Sequence, residues 1–246
     1  MATTGRPYRP DPTDLHPRRE FVRLLSAAGL LAAAPILSAS PDPKANGKPM
    51  ENDEDVTPAE DLMREHGVLK RVLLVYDECR ERIAARKEFP PAAVLDSAKI
   101  IKTFIEAYHE KLEEEELFPR FRKAGRLVDL VDVLETQHKA GRRVTDRILA
   151  LAGGGLKGEG DREKLAAALA QFVRMYAPHE AREDTILFPA IRKVVSKKEY
   201  DILGDRFETK EHELFGEDGF EHMVERVGGI EKTLGIYDLS QFTPVA

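Results

Sequence analysis

The sequence predicts an all-α fold, an antiparallel four-helix bundle with one additional C-terminal helix. Three observations point there. Apolar residues recur at three- and four-residue intervals along four long stretches, the pattern of helices that bury one stripe. One stretch occurs twice: from His109 it reads H-E-K-L-E-E-E-E-L-F-P-R-F-R-K, and from His179 it reads H-E-A-R-E-D-T-I-L-F-P-A-I-R-K. About one helix before each copy stands another His, His66 and His138, and the His66–His138 and His109–His179 intervals agree to within two residues. A helix pair used twice closes most simply as two antiparallel pairs related by a pseudo-twofold.

The elements follow in order. Residues 1–40 stand apart from the fold. There Arg18-Arg19-Glu20-Phe21-Val22-Arg23 precedes a mild apolar run, Leu24 to Leu37, that ends in Ser38-Ala39-Ser40. This resembles a twin-arginine export signal and predicts a periplasmic or otherwise exported chain with no membrane span after cleavage. Residues 41–56, rich in Pro, Gly and Asp, read as a linker, and the bundle is expected over 57–195. Thr57-Pro58-Ala59-Glu60 is a capping box with Pro at the first helical position, opening a helix to about Arg86. Its stripe is Leu62, His66, Leu69, Leu73 and Tyr76.

Pro90-Pro91 opens a second helix, with Leu95, Ile105, His109, Leu112 and Glu113 inward, running to about Lys123. A third follows Gly125 with Leu127, Val131, Leu134, His138, Gly141, Thr145 and Ile148 in seam spacing, and Gly153-Gly154-Gly155 ends it. A fourth is expected to start near Asp161, with Leu165, Leu169, Phe172, Tyr176, His179, Glu183 and Ile186 on its stripe. Pro119 and Pro189, at equivalent points, are expected to kink or loosen their helices. Ser196-x-x-Glu199 is a second capping box, opening a helix toward Phe215. The remaining C-terminal extension, within 196–246, reads as short helices broken by glycines and packed outside the bundle.

Composition limits the chemistry. The 246 residues carry a net charge of −6 and show no basic stripe, so nucleic acid is not an expected partner. Cys79 is the one cysteine, which excludes an intrachain disulfide and a thiolate zinc site. On a helix, residues i and i+4 share a face, so His109/Glu113 and His179/Glu183 each form a two-donor claw. With His66 and His138 they place four imidazoles and two carboxylates on buried seams, a costly arrangement unless a metal resolves it. The donor set suits two iron ions, with manganese or zinc possible, and bridging by both carboxylates would leave positions open for a small ligand. Glu110 and Glu180 lie about 100° round the helix from their His and read as supporting or surface residues. Tyr176 reads equally as a supporting donor or as core. Glu208 and His212 repeat the i, i+4 spacing without a partner and read as surface, and His16 and His222 are expected to play no part.

Over about residues 57–195 the pattern H…H-E-x-x-E…H…H-x-x-x-E, with both L-F-P segments, resembles the hemerythrin-like (HHE cation-binding) family. The resemblance implies a four-helix bundle with a non-haem di-iron centre held by His66, His109, Glu113, His138, His179 and Glu183. Oxygen-carrying members have a second His one turn after the third-helix ligand, where this chain has Arg142. They also carry Asp five residues after the fourth-helix His, where Asp184 stands here, although Glu183 fits the repeat better. The Glu-rich pattern looks more like the branch associated with iron or oxygen sensing. The expected function is thus binding or sensing of dioxygen, nitric oxide or a peroxide, with a redox partner. The alternatives are a di-iron oxidase or peroxidase, or a bundle with a structural or stored metal.

Overall fold

The computed structural model describes residues 56–244, all helix, turn and loop. The expected export signal and all but the last residue of the linker lie outside the described residues. Helix α1 is Pro58–Ala84, capped by Thr57, whose hydroxyl accepts from Glu60 N–H while Glu60 accepts from the Thr57 N–H. It stops two residues before the expected Arg86, which adopts the left-handed conformation at φ 55°.

Helix α2 runs continuously over 91–124, and its pitch changes on the way. It is π-helical over Ile101–His109 and again over Glu113–Leu117 before closing as an α-turn at Phe118–Ala124. Helix α3 is Val128–Gly153. Helix α4 covers 159–193 and likewise contains a π-turn, Glu183–Leu187. It begins two residues before the expected cap: Gly158 is the cap residue, and Asp161 lies in the first turn, where its charge meets the positive helix end.

Neither Pro119 nor Pro189 breaks its helix. Each sits just past a π-turn, whose wider spacing absorbs the ring, with Phe118 and Phe188 N–H bonding back five residues to Glu113 and Glu183. The extra residue also turns the stripe. Leu187 is fully buried, whereas Ile186, expected inward, is half-buried. Leu95 and Leu127, at helix ends, are half-buried too, while the other seam residues named above are buried.

Helix α1 packs against α4 and α2, and α3 against α2 and α4, closing the four-helix ring. Outside it lie α5 (Lys197–Phe215), capped by the Ser196/Glu199 box, and α6 (Gly219–Leu234). Over Gly219–Leu234 the tail is one continuous helix that runs through Gly228 and Gly229, and a 3-10 turn, Leu239–Phe242, follows it. Gly228 lets the helix approach α1, where an added Cβ would stand 3.2 Å from the Arg71 guanidinium, and Arg71 donates twice to Glu231 at 2.6 and 3.0 Å. Among the described residues no helix is long and apolar enough to cross a membrane.

Candidate metal centre

All six predicted donors converge in the middle of the ring, and each is at least 97% buried. His66, His109 and Glu113 bring donor atoms within 4.8 Å of one another, and so do His138, His179 and Glu183. The two groups are interlocked. Glu113 Oε2 lies 3.8 Å from His109 Nε2 and 3.3 Å from His138 Nε2. Glu183 Oε2 lies 3.0 Å from His179 Nε2 and 3.5 Å from His66 Nε2. Each carboxylate thus touches one imidazole of each group, the position of a bridge.

The donor atoms fit a metal and little else. Both oxygens of Glu113 and of Glu183, and Nε2 of His138, are buried without a hydrogen-bond partner. His66 Nε2 and His109 Nε2 face each other at 3.0 Å, close to the separation of adjacent donors on one ion at bond lengths of about 2.1 Å. Orphaned polar atoms in such a core cost about 1–3 kcal/mol each, more when charged. Burial pushes Glu183 up to about 7 and pushes His109 and His179 down to about 3. His66 and His138 move up instead. Burial acts against their charge, but Asp184 and Glu183 outweigh it at His66, and Glu110, Glu113 and Glu114 at His138. Without an ion, protons on these two imidazoles balance the carboxylates. Divalent ions would do the same and would give these lone pairs partners.

A second layer of contacts fixes which nitrogen faces the centre. His66 Nδ1 meets Asp184 Oδ1 at 2.7 Å, His109 Nδ1 meets Glu65 Oε2 at 2.5 Å, His138 Nδ1 meets Glu114 Oε1 at 3.2 Å, and His179 Nδ1 meets Gln137 Oε1 at 2.9 Å. An oxygen acceptor there keeps the proton on Nδ1 and leaves the Nε2 lone pair for a metal. This separates Glu183 from Asp184: Glu183 points into the centre and Asp184 grips His66 from outside. The repeated L-F-P has a use as well. Phe188 stacks on His66 at 5.3 Å and Phe118 on His138 at 5.5 Å, holding each ring between its oxygen acceptor and the centre.

Glu110 and Glu180 are buried, not surface residues. Glu180 pairs with Lys70 at 3.4 Å, and Glu110 pairs with Arg142 at 2.8 Å and accepts from Tyr176 at 2.6 Å. Tyr176 is therefore a supporting donor, and Gly141 makes room for it, since a Cβ there would fall 2.0 Å from its hydroxyl. Glu110, Glu114 and His138 also bring donor atoms within 4.8 Å, with Glu114 on the Nδ1 side of His138. Arg142 spans Glu110 and Glu114 and presents no lone pair. Glu208, His212 and His222 are exposed and remote in kind from this site, and His16 lies outside the described residues.

Sequence reasoning missed Glu65, Gln137 and Glu114, and did not see what Asp184 does. The signal was the repeat itself: the residue before each lone His and the residue after each claw Glu are acceptors in both copies.

Comparison with known proteins agrees. The family model for the hemerythrin HHE cation-binding domain matches residues 57–190. The same model matches again over residues 129–231. Uncharacterized proteins of Mycobacterium tuberculosis and Mycobacterium bovis are 52% identical over 190 residues, 77% of this chain and 74% of theirs. No solved structure matches the chain. With all six donors inside a match that spans more than half its length, the chain belongs to the hemerythrin HHE cation-binding family.

Proposed function

We propose that this is a non-haem di-iron protein that binds or senses a small oxidant, such as dioxygen, nitric oxide or a peroxide. The observation that carries the reading is the interlock of the two donor groups, in which Glu113 and Glu183 each touch one imidazole of each group. His66 and His109 would hold one ion, His138 and His179 the other, with both carboxylates between them. Iron held there supplies one-electron redox chemistry and open coordination positions. The chain's part is to set the Nε2 lone pairs through the Nδ1 contacts, keep water out, and balance charge by burying both carboxylates.

Arg142 supports sensing over reversible carriage. It occupies the place where oxygen carriers supply a further imidazole, and its cation is tied to Glu110 and Glu114. The second position therefore lacks that nitrogen donor. Anaerobic iron loading should give two irons per chain, and reduced protein should oxidise in air without recovering under argon unless reductant is added. Full recovery through repeated air and argon cycles would restore the carrier reading. Multiple turnover with peroxide would favour the enzyme, and spectral inertness a structural metal. The Arg18-Arg19 motif supports export before the protein works, and replacing it with Lys-Lys should retain the chain in the cytoplasm.

A further inference from the structure

One side of the centre breaks the repeat. In its register Glu65 corresponds to Gln137, and Asp61, one turn earlier, corresponds to the exposed Val133. Helix α5 packs against α1 and contributes Glu211, which has no counterpart in the other half. Asp61, Glu65 and Glu211 each place a carboxylate oxygen within 4.8 Å of the others.

Three features distinguish this cluster from a solvated acidic face. Glu65 is fully buried, and while its Oε2 holds His109, its Oε1 has no hydrogen-bond partner. The Tyr108 hydroxyl, also buried and without a partner in bonding geometry, is directed at Glu65 and lies near Asp61 and Glu211. Glu211 is fixed in place: its Oε1 accepts from Phe220 N–H at 2.5 Å, and Gly219 leaves the room, since a Cβ there would stand 2.7 Å from that oxygen.

Counter-charge is thin: Arg64 acts on Asp61 and Glu211, and His212 on Glu211, without outweighing burial. Arg64, one turn from Asp61, pairs with Glu221 at 3.5 Å and lies over the Phe220 ring at 4.4 Å. Burial, reinforced by Glu65 and Glu211, pushes Asp61 up to about 7, and burial also raises Glu211. Converging carboxylates in a half-buried site are stabilised by protons or by a cation. The oriented oxygens and the orphaned Oε1 favour the cation.

We propose that Asp61, Glu65 and Glu211 form a third metal site, oxygen-only, for a divalent cation of the Mn2+ or Fe2+ class. Carboxylate oxygens suit hard divalent ions, and the absence of a thiolate removes the donor that would favour a soft one. Glu65 joins the two centres, one oxygen on the His109 ring and the other on the new site, so an ion there lies one carboxylate from a ligand of the buried pair.

The test uses the full chain with its buried centre preloaded with two equivalents of Zn2+ per chain and freed of excess metal, then titrated with Mn2+ while free Mn2+ is counted by electron paramagnetic resonance. Wild type should take up one Mn2+ per chain, and Asp61→Asn/Glu211→Gln none. Because both replacements relieve repulsion, the variant should fold. As a second readout, Mn2+ should raise the melting temperature of wild type only. Equal uptake by the two proteins, or none by wild type, would overturn the proposal and leave a proton-sharing acidic cluster. Elemental analysis for zinc tests the buried pair separately, so the two readings fail by different measurements.

Discussion

In the register of the repeat, Glu65 stands against Gln137, Lys70 against Arg142 and Asp184 against Glu114, while the six donors match one for one. The inner contacts obey the pseudo-twofold: each carboxylate touches one imidazole of each group, each Nδ1 meets an oxygen acceptor, and each Phe of L-F-P covers the His of another helix. The outer charges do so only in part, Lys70 spanning Glu180 and Asp184 as Arg142 spans Glu110 and Glu114. Around the first position both acceptors are carboxylates. Around the second, one is the neutral Gln137, and the other, Glu114, takes Arg142 and Lys111 at 2.7 Å each, where Asp184 takes Lys70 at 3.5 Å. A carboxylate on Nδ1 makes an imidazole a stronger donor, so the first position should bind its ion more tightly. Identical ligands in a symmetric ring can thus make an asymmetric pair of sites.

The largest effect expected is from the bridges. Glu113→Ala or Glu183→Ala should remove both ions, whereas His109→Ala or His179→Ala should remove one. Elemental analysis after anaerobic loading distinguishes these, and equal losses from all four would break the bridging assignment.

Next comes the exchange of outer partners. Glu65→Gln should weaken the first position by about 10–100-fold, and Gln137→Glu should strengthen the second by a similar factor. Competition against a graded chelator reads both. If neither variant changes the order in which the ions leave, charge at Nδ1 is not what separates the halves.

Proton release is the third test. In the metal-free protein His66 and His138 bind protons more strongly than usual, His109 and His179 less so, to about 3. A metal must displace the protons on His66 and His138, so uptake should acidify a weakly buffered solution. Affinity should then rise with pH and fall in acid, where protons compete for the same lone pairs. An indicator dye records the release. Uptake with no acidification would mean that the centre is already deprotonated.

A smaller effect tests the Tyr176 side of the second half. Gly141→Ala puts a methyl 2.0 Å from the Tyr176 hydroxyl and should destabilise by about 1–3 kcal/mol in denaturant unfolding. At the equivalent place in the first half stands the buried Leu69, so the requirement for glycine belongs to one half alone. Smallest of all, His212→Ala and His222→Ala should leave metal content unchanged and stability within about 0.5 kcal/mol, since both are exposed.

The helices and the six donors were legible because their signals are local. A stripe at helical spacing, a capping box such as Thr57–Glu60 and a His-x3-Glu claw each depend on residues within one or two turns. The π-turns were not legible, and with them went Ile186 and Leu187. A proline was visible at 119 and 189, but whether the chain would kink or widen its turn depended on the packing of the L-F-P segment against the neighbouring helix.

The sequence by itself determined what could bind a metal, since imidazole and carboxylate repeated on a buried seam have few other uses. Only the tertiary structure decided which residue stands behind each donor. Glu65, Gln137, Glu114 and Asp184 reach across from neighbouring helices, and a helix's own periodicity carries no record of what faces it. Glu183 was legible on the buried stripe, but that its neighbour Asp184 would reach His66 on another helix was not. The placement of α5 over the first half was equally invisible, because capping and composition define a helix but not the surface it covers. That surface is chosen by which unpaired groups its burial leaves or satisfies, a property of two elements and never of one.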